Sequence, residues 1–212
     1  MGYEFTTQWF ADSELKRLLP TVLSPTAENR ILEIGSYEGQ STVYMADIYC
    51  AEHPGSSITT VDPFDLADTS TTVTSETEKR FLANVKASPQ ASKIIVRRQY
   101  SDDFFNTNSA KRYKGVLDKS TPELQSSTDF RNGLYNFIYV DGSHNPMQIQ
   151  RDASNAFRLL DVGGVLWFDD YLGGPPGDPA IRLAIDFWVR LMGTKLRTIH
   201  RGYQLGLMKL AK

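Results

Sequence analysis

The sequence predicts a three-layer α/β domain with a Rossmann-like plan. A mostly parallel seven-stranded sheet carries helices on both faces and ends in an antiparallel hairpin. Three observations lead there. Short β-branched, apolar runs alternate with amphipathic helical stretches, as in βαβ units. One of those runs, Asn136–Asp141, is apolar almost throughout, as a strand buried on both faces is, and Gly163–Asp170 is the next clearest strand. The chain has 212 residues, 41% of them hydrophobic, which is enough for one sizeable core and short for two. Residues 1–212 therefore read as a single domain.

The elements follow in order. Residues 1–28 read as an N-terminal helical segment. The first strand is Arg30–Ile34, closed by Gly35, and a helix runs from Gly39 to about Glu52, where His53-Pro54-Gly55 stops it. Ser57–Asp62 is a β-branched strand closed by Pro63. After a loop rich in Ser and Thr, Glu76–Ser88 reads as a helix and Lys93–Arg97 as the third strand. Residues 106–132 are polar, irregular and longer than a usual connection, which suits a lid or an acceptor-binding loop. The fourth strand, Asn136–Asp141, leads to a helix over Pro146–Leu160 with Ile149, Ala153, Ala156 and Leu160 on one side. The fifth, Gly163–Asp170, is broken by Gly173, Gly174, Pro175 and Pro176. A helix over Asp178–Met192 carries Ile181, Ile185, Trp188 and Leu191 at helical spacing. Leu196–His200 and Tyr203–Leu210 then pair as a hairpin around Arg201-Gly202.

Composition removes several function classes. Lys+Arg 23 against Asp+Glu 25 gives a net charge of -2, without the basic excess that supplies nucleic-acid affinity. No apolar run approaches the roughly 20 residues that span a bilayer. The N-terminus lacks the basic-then-apolar pattern of a secretory signal. A single cysteine, Cys50, allows neither an internal disulfide nor a cysteine-based zinc set. The expectation is a reducing, cytoplasmic setting without nucleic acid or membrane. A homo-oligomer or a module of a larger protein fits these features equally.

In a sheet of this kind ligands bind beyond the carboxyl ends of the strands, near the switch in strand order. Between the first strand and the first helix of the sheet lies Glu33-Ile34-Gly35-Ser36-Tyr37-Glu38-Gly39-Gln40-Ser41. Gly35 permits a sharp turn with backbone close to a ligand, and Gly39 opens a helix whose N-terminus favours an anion. The spacing is G-x-x-x-G, and Tyr37 occupies the place of the second glycine in a nicotinamide dinucleotide fingerprint. There is no Walker lysine. Dehydrogenase and NTPase readings are both disfavoured. Asp62 ends the second strand, where a carboxylate either accepts from ribose hydroxyls or simply forms the turn before Pro63.

Asp141-Gly142-Ser143-His144 follows the fourth strand and Asp169-Asp170 the fifth. Neighbouring strands would bring Asp141 and Asp169 to ends about 5 Å apart. Carboxylates that close repel unless one is protonated or a cation lies between them. Asp170 joins them only if the strand has already ended, because consecutive strand residues point to opposite faces. The alternative is that Asp169-Asp170 merely terminates a strand.

On these residues the sequence resembles the class I S-adenosylmethionine-dependent methyltransferases, over roughly residues 28 to 192. The Glu33–Ser41 loop is similar to that of catechol-type O-methyltransferases and of metal-dependent sugar O-methyltransferases acting on antibiotic deoxysugars. The resemblance implies a cofactor site comprising Glu33, Gly35, Ser36, Tyr37, Gly39, Ser41, Asp62, Asp141 and, near the adenine, Ser101 or Asp102. Gly35 backbone would hold the methionine amino group, Ser41 the methionine carboxylate and Asp62 the ribose. It also implies that Asp141, Asp169 and Asp170 bind Mg²⁺, with Mn²⁺ or Ca²⁺ as substitutes, since three carboxylates favour hard cations. Asp170 stands where catechol-type enzymes have Asn, as is common in the sugar enzymes. His144 stands where they have a lysine base, and some sugar enzymes share this Asp-x-x-His arrangement. An imidazole of ordinary pKa accepts a proton at neutral pH. His144 is therefore the expected base and Asp141 its rival. The implied activity is methyl transfer to a hydroxyl of a small-molecule or glycan acceptor. A sugar such as a 6-deoxyhexose is favoured, with a catechol-type acceptor or a non-catalytic partner-binding module as alternatives.

The remaining candidates read as structure. Trp167 and Trp188 fall at core positions, His53 and His200 are structural, and Lys79-Arg80 and Arg97-Arg98 are solvated pairs or a steering patch for an acidic acceptor. Tyr37 and Phe64 lie on loops at the ligand end.

Overall fold

A computed structural model describes residues 2–65, 73–107, 134–173 and 179–212. Seven strands form one sheet: β1 (Arg30–Ile34), β2 (Ser57–Val61), β3 (Ile94–Arg97), β4 (Tyr135–Val140), β5 (Leu160–Phe168), β6 (Leu196–Arg201) and β7 (Leu205–Lys209). Their order is β3-β2-β1-β4-β5-β7-β6. The first five are parallel, and β7 runs antiparallel to both β5 and β6. The expected mixed sheet with its C-terminal hairpin is therefore present, and the switch in strand order falls between β1 and β4.

Period-two alternation divides the core between the two faces of the sheet. Ile31, Phe137, Tyr139, Val165 and Trp167 point to one face; Leu32, Ile138, Val140, Leu166 and Phe168 point to the other. Helices α1 (Glu14–Val22) and α2 (Gln40–Tyr49) bury Leu15, Leu19, Val43, Met45 and Ala46 on the first face. Val85 of α3 (Thr77–Ala87) packs at the edge of the same cluster. On the second face lie α4 (101–107), α5 (Pro146–Leu159) and α6 (Ala180–Met192), which contribute Phe104, Phe105, Ile149, Phe157, Ile181, Ile185 and Trp188. Each large apolar side chain taken fully out of water contributes about 1.5–3 kcal/mol, so the two clusters hold the layers together. Trp167 and Trp188 are core, as their periodicity implied, and Cys50 is a buried free thiol.

Most boundaries fall within three residues of expectation, and the differences have causes. β5 starts at Leu160 because Leu160 already pairs with Tyr135, ahead of an irregularity in the ladder before Val165. The N-terminal segment is helical only over Glu14–Val22, where Ser13 caps the first turn and Pro20 lies near the end. Residues 3–11 instead form a non-helical strap that turns at Trp9–Asp12 and bonds to the glycine loop, α2 and α3. There Thr6 N and Oγ1 donate to the Glu38 carboxylate at 2.6 and 2.8 Å, and Ala11 N donates to Gln40 at 3.2 Å. Apart from its first two residues, the polar stretch 106–132 lies outside the described residues, as do Gly174, Pro175 and Pro176.

Candidate active site

Backbone pairing continues one residue past the strand ends and holds them level. Gly35 N donates to Val61 O, Asp141 N to Ile34 O, and Asp169 N to Val140 O, at 2.8–3.0 Å. Since Val140 pairs with Phe168, the residues that follow, Asp141 and Asp169, become neighbours. The chain turns immediately after β5, with Gly173 N donating to Asp170 O, so Asp170 joins its neighbour rather than pointing to the opposite face. One carboxylate oxygen from each of Asp141, Asp169 and Asp170 lies within 4.8 Å of the others. Oxygens around an octahedral Mg²⁺ stand about 3–4 Å apart given bond lengths near 2.1 Å. Small side-chain rotations therefore suffice, and the all-oxygen donor set fits a hard divalent cation.

The cluster is held from behind. Asp169 Oδ1 accepts from the Tyr139 hydroxyl at 2.5 Å and from Gln204 Nε2. Asp170 Oδ1 accepts from the Tyr203 hydroxyl at 2.9 Å, and His144 Nε2 stands 2.8 Å from Asp170 Oδ2. Burial, reinforced by the charges of Asp169 and Asp170, holds the Asp141 carboxyl well above the usual carboxylate range. Burial pushes Asp169 up to about 6, even though the Tyr139 hydroxyl favours its ionised form. The hydrogen bond to Asp170 raises the His144 imidazole above its ordinary value, outweighing the cost of its own partial burial.

The glycine loop lies directly against this cluster. Gly35 has φ +84°, and a Cβ there would meet the Asp141 carbonyl oxygen at 2.1 Å, so only glycine fits between β1 and β4. Gly39, at φ +82°, opens α2 without a side-chain cap, which leaves the first N–H groups of that helix available to an anion. Asp62 does not stand free at the end of β2. Its Oδ2 accepts from Ser36 N at 2.8 Å and Tyr37 N at 3.1 Å, and its Oδ1 from Phe64 N at 2.8 Å. The carboxylate thus fixes the loops that follow β1 and β2, and Tyr37 and Phe64 each adopt φ +48°.

Glu33 is fully buried beneath the loop and accepts from Ser41 Oγ and Thr42 Oγ1, each at 2.5 Å. Burial pushes its carboxyl up to about 7, against the lowering effect of those hydroxyls. The Ser41 hydroxyl is therefore engaged inward. Ser101 and Asp102 open α4 beyond β3, where Gln148 Nε2 lies 3.1 Å from Ser101 Oγ, 3.2 Å from Asp102 Oδ1 and 3.0 Å from Asp152 Oδ1. This ties α4 to the first turns of α5, directly after His144.

The structure thus joins Asp141, Asp169, Asp170 and His144 into one cluster and sets Gly35 against it. Ser36, Tyr37 and Asp62 form a second group around the glycine loop. Other side chains bonded to the cluster carry no mark of their own in the sequence pattern. Tyr139 was findable, because it lies two residues before Asp141 on the same strand face. Gln204 and Tyr203 were not, because they reach the site only through the antiparallel return of β7. Arg80, expected to be solvated, pairs instead with the buried Glu38 at 2.6 Å beneath the N-terminal strap. Trp9 on that strap is 60% exposed and lies 5.1 Å from the Tyr37 ring. His200 is structural, as expected: it stacks on Trp167 at 5.3 Å and pairs with Glu14 at 2.8 Å.

Comparison with known proteins gives this arrangement a lineage. A family model described as a methyltransferase domain (Methyltransf_24) matches residues 32–171, from β1 through the acidic cluster. No curated protein sequence matches the chain. Among solved structures, the O-methyltransferase TomG from Streptomyces achromogenes, involved in tomaymycin synthesis and solved with S-adenosylmethionine, is 15% identical with a TM-score of 0.57. That match covers 99% of this chain and 92% of TomG. An O-methyltransferase from Bacillus cereus in complex with S-adenosylhomocysteine is 16% identical with a TM-score of 0.57, over 97% of this chain and 82% of that one. A protein from Clostridium thermocellum proposed to be an rRNA methylase is 9% identical with a TM-score of 0.60, over 95% and 98%. At these identities the likeness is one of fold. The family match spans the glycine loop, Asp62 and all three clustered carboxylates, and the chain belongs to the methyltransferase-domain family.

Proposed function

We propose that the protein is an S-adenosylmethionine-dependent, divalent-cation-dependent O-methyltransferase whose acceptor is a sugar hydroxyl. One observation carries the reading: three carboxylates converge with a histidine at the ends of β4 and β5, against the glycine loop. The net charge of -2 favours a small or glycan acceptor over nucleic acid. Among the described residues no helix is long and apolar enough to cross a membrane.

Bound S-adenosylmethionine supplies an electrophilic sulfonium methyl, and a Mg²⁺ ion lowers the pKa of an alcohol too weakly acidic to ionise unaided. The chain's own residues do the rest. The uncapped N-terminus of α2 attracts the methionine carboxylate, and Asp62 keeps the loops that frame the cofactor in shape. Asp141, Asp169 and Asp170 hold the cation. His144 accepts the hydroxyl proton, and in the cation-free protein Asp170, 2.8 Å from its Nε2, orients the imidazole. Asp141 is the rival base. Catalysis is then chiefly positioning and preorganised charge. Asp in the third cation position and His144 in place of a lysine favour a sugar, for example a 6-deoxyhexose such as rhamnose in a glycan, over a catechol.

The test is S-adenosylhomocysteine release over a panel of 6-deoxyhexosides and catechols, with Mg²⁺ and with EDTA. Cation-dependent release with a deoxyhexoside supports the proposal. Release with catechols alone moves the acceptor to the catechol class. Cofactor binding without release on any acceptor favours a non-catalytic module.

A further inference from the structure

Resting on the cation-dependent reading above, we propose that Gln204 is a positioning residue that holds Asp169 ready for the cation and couples the acidic site to helix α1. Gln204 lies in the turn between β6 and β7 and is 1% exposed. Its carboxamide orientation is dictated by its neighbours. Leu15 N at 2.5 Å and the Trp167 indole N–H at 3.0 Å can only donate, so both meet Oε1. Nε2 must then face the opposite way, and there it donates to Asp169 Oδ1. With the Tyr139 hydroxyl on the same oxygen, Asp169 Oδ1 has two donors, and Oδ2 is the oxygen left for a cation.

The other end of this contact is α1. Leu15 is the second residue of that helix, and its N–H is one of those a helix N-terminus leaves without an intrahelical acceptor. Gln204 N donates to Glu14 Oε2 at 2.8 Å, and His200 Nε2 reaches the same oxygen at 2.8 Å. One buried carboxamide thus joins the start of α1, the Trp167 ring and a cation-site carboxylate. Partners behind a metal ligand commonly change metal affinity about 10–100-fold when removed. Coupling between two sites is reciprocal, so cation binding at Asp169 should also steady the start of α1.

The experiment measures Mn²⁺ binding by electron paramagnetic resonance on the full chain, as wild type, Gln204→Met and Gln204→Glu. The first variant keeps the volume and removes the donor. The second keeps both accepting contacts and sets a carboxylate against Asp169, so it retains the packing if the first folds poorly. Cofactor affinity and amide exchange over residues 13–22 are followed in parallel. The expected result is Mn²⁺ binding weakened about 10–100-fold in both variants with cofactor affinity kept. Exchange in α1 should slow on Mn²⁺ addition in the wild type only. Wild-type Mn²⁺ affinity in the variants, loss of cofactor and cation binding in equal measure, or α1 exchange indifferent to Mn²⁺ would overturn the assignment. A wild type that binds no Mn²⁺ would instead overturn the cation reading on which it rests.

Discussion

His144 Nε2 lies 2.8 Å from Asp170 Oδ2, so the expected base and an expected cation ligand are bonded to each other. The pair raises the imidazole pKa, because the charged ring is favoured beside a carboxylate. A cation on Asp170 opposes this twice, by competing for the oxygen and by placing positive charge nearby. Mg²⁺ should therefore lower the pKa of His144, leaving more of the neutral form that can take a proton at neutral pH. Proton resonances of the ring, titrated with and without Mg²⁺, measure this directly. An unchanged midpoint would mean that the cation does not reach Asp170.

Replacing His144 with Gln should leave cation binding intact and reduce turnover about 10²–10⁴-fold, the usual contribution of a positioned acid–base group. Turnover near the wild-type level would pass the role to Asp141.

The carboxylate cluster also sets a pH dependence of stability. Asp169 is pushed up to about 6 and Asp141 is raised well beyond the ordinary range, whereas the unfolded chain releases these protons near pH 4. The folded state thus holds protons that the unfolded state has lost, so stability of the cation-free protein falls as pH rises from about 4 through about 6. A cation bound by these carboxylates would replace those protons. The gain in melting temperature on adding Mg²⁺ should be larger at about pH 7.5 than at about pH 5. Equal gains at both would detach the cation from this cluster.

Much of the site was legible because its residues end the strands whose patterns were clearest. Asp141 and Asp169 each follow an unbroken apolar run, and parallel pairing makes such ends meet. Asp62 was legible as a position but not as a contact. Its partners, Ser36, Tyr37 and Phe64, depend on two residues with positive φ that no composition rule marks. Gln204 was invisible for a different reason. Its contact with Asp169 spans 35 positions and depends on the register of an antiparallel strand. Residues 3–11 fall within the stretch expected to be helical, but only Glu14–Val22 of it is helix. The backbone of residues 3–11 instead bonds to the side chains of Glu38, Gln40 and Asn84.

Gly35→Ala and Gly39→Ala should differ in severity. Both positions have φ beyond +80°, a strain of about 1–3 kcal/mol for alanine. At Gly35 the added carbon meets Asp141 backbone at 2.1 Å, which cannot yield without separating β1 from β4. At Gly39 it meets the Phe81 ring at 2.9 Å, and a side chain can shift. Thermal melts should show the larger loss for Gly35→Ala, with cofactor binding abolished. Equal losses would mean that only the φ strain matters.

If the glycine loop serves the cofactor and the carboxylate cluster serves a cation, Asp169→Ala should separate the two duties. Calorimetry with S-adenosylmethionine, with and without Mg²⁺, should give saturable one-site binding to both wild type and variant. Turnover by the variant should fall by at least about 10³-fold, since cation assistance is worth several kcal/mol. Failure of the wild type to bind S-adenosylmethionine in either buffer would contradict the account, and so would loss of cofactor binding together with turnover in the variant.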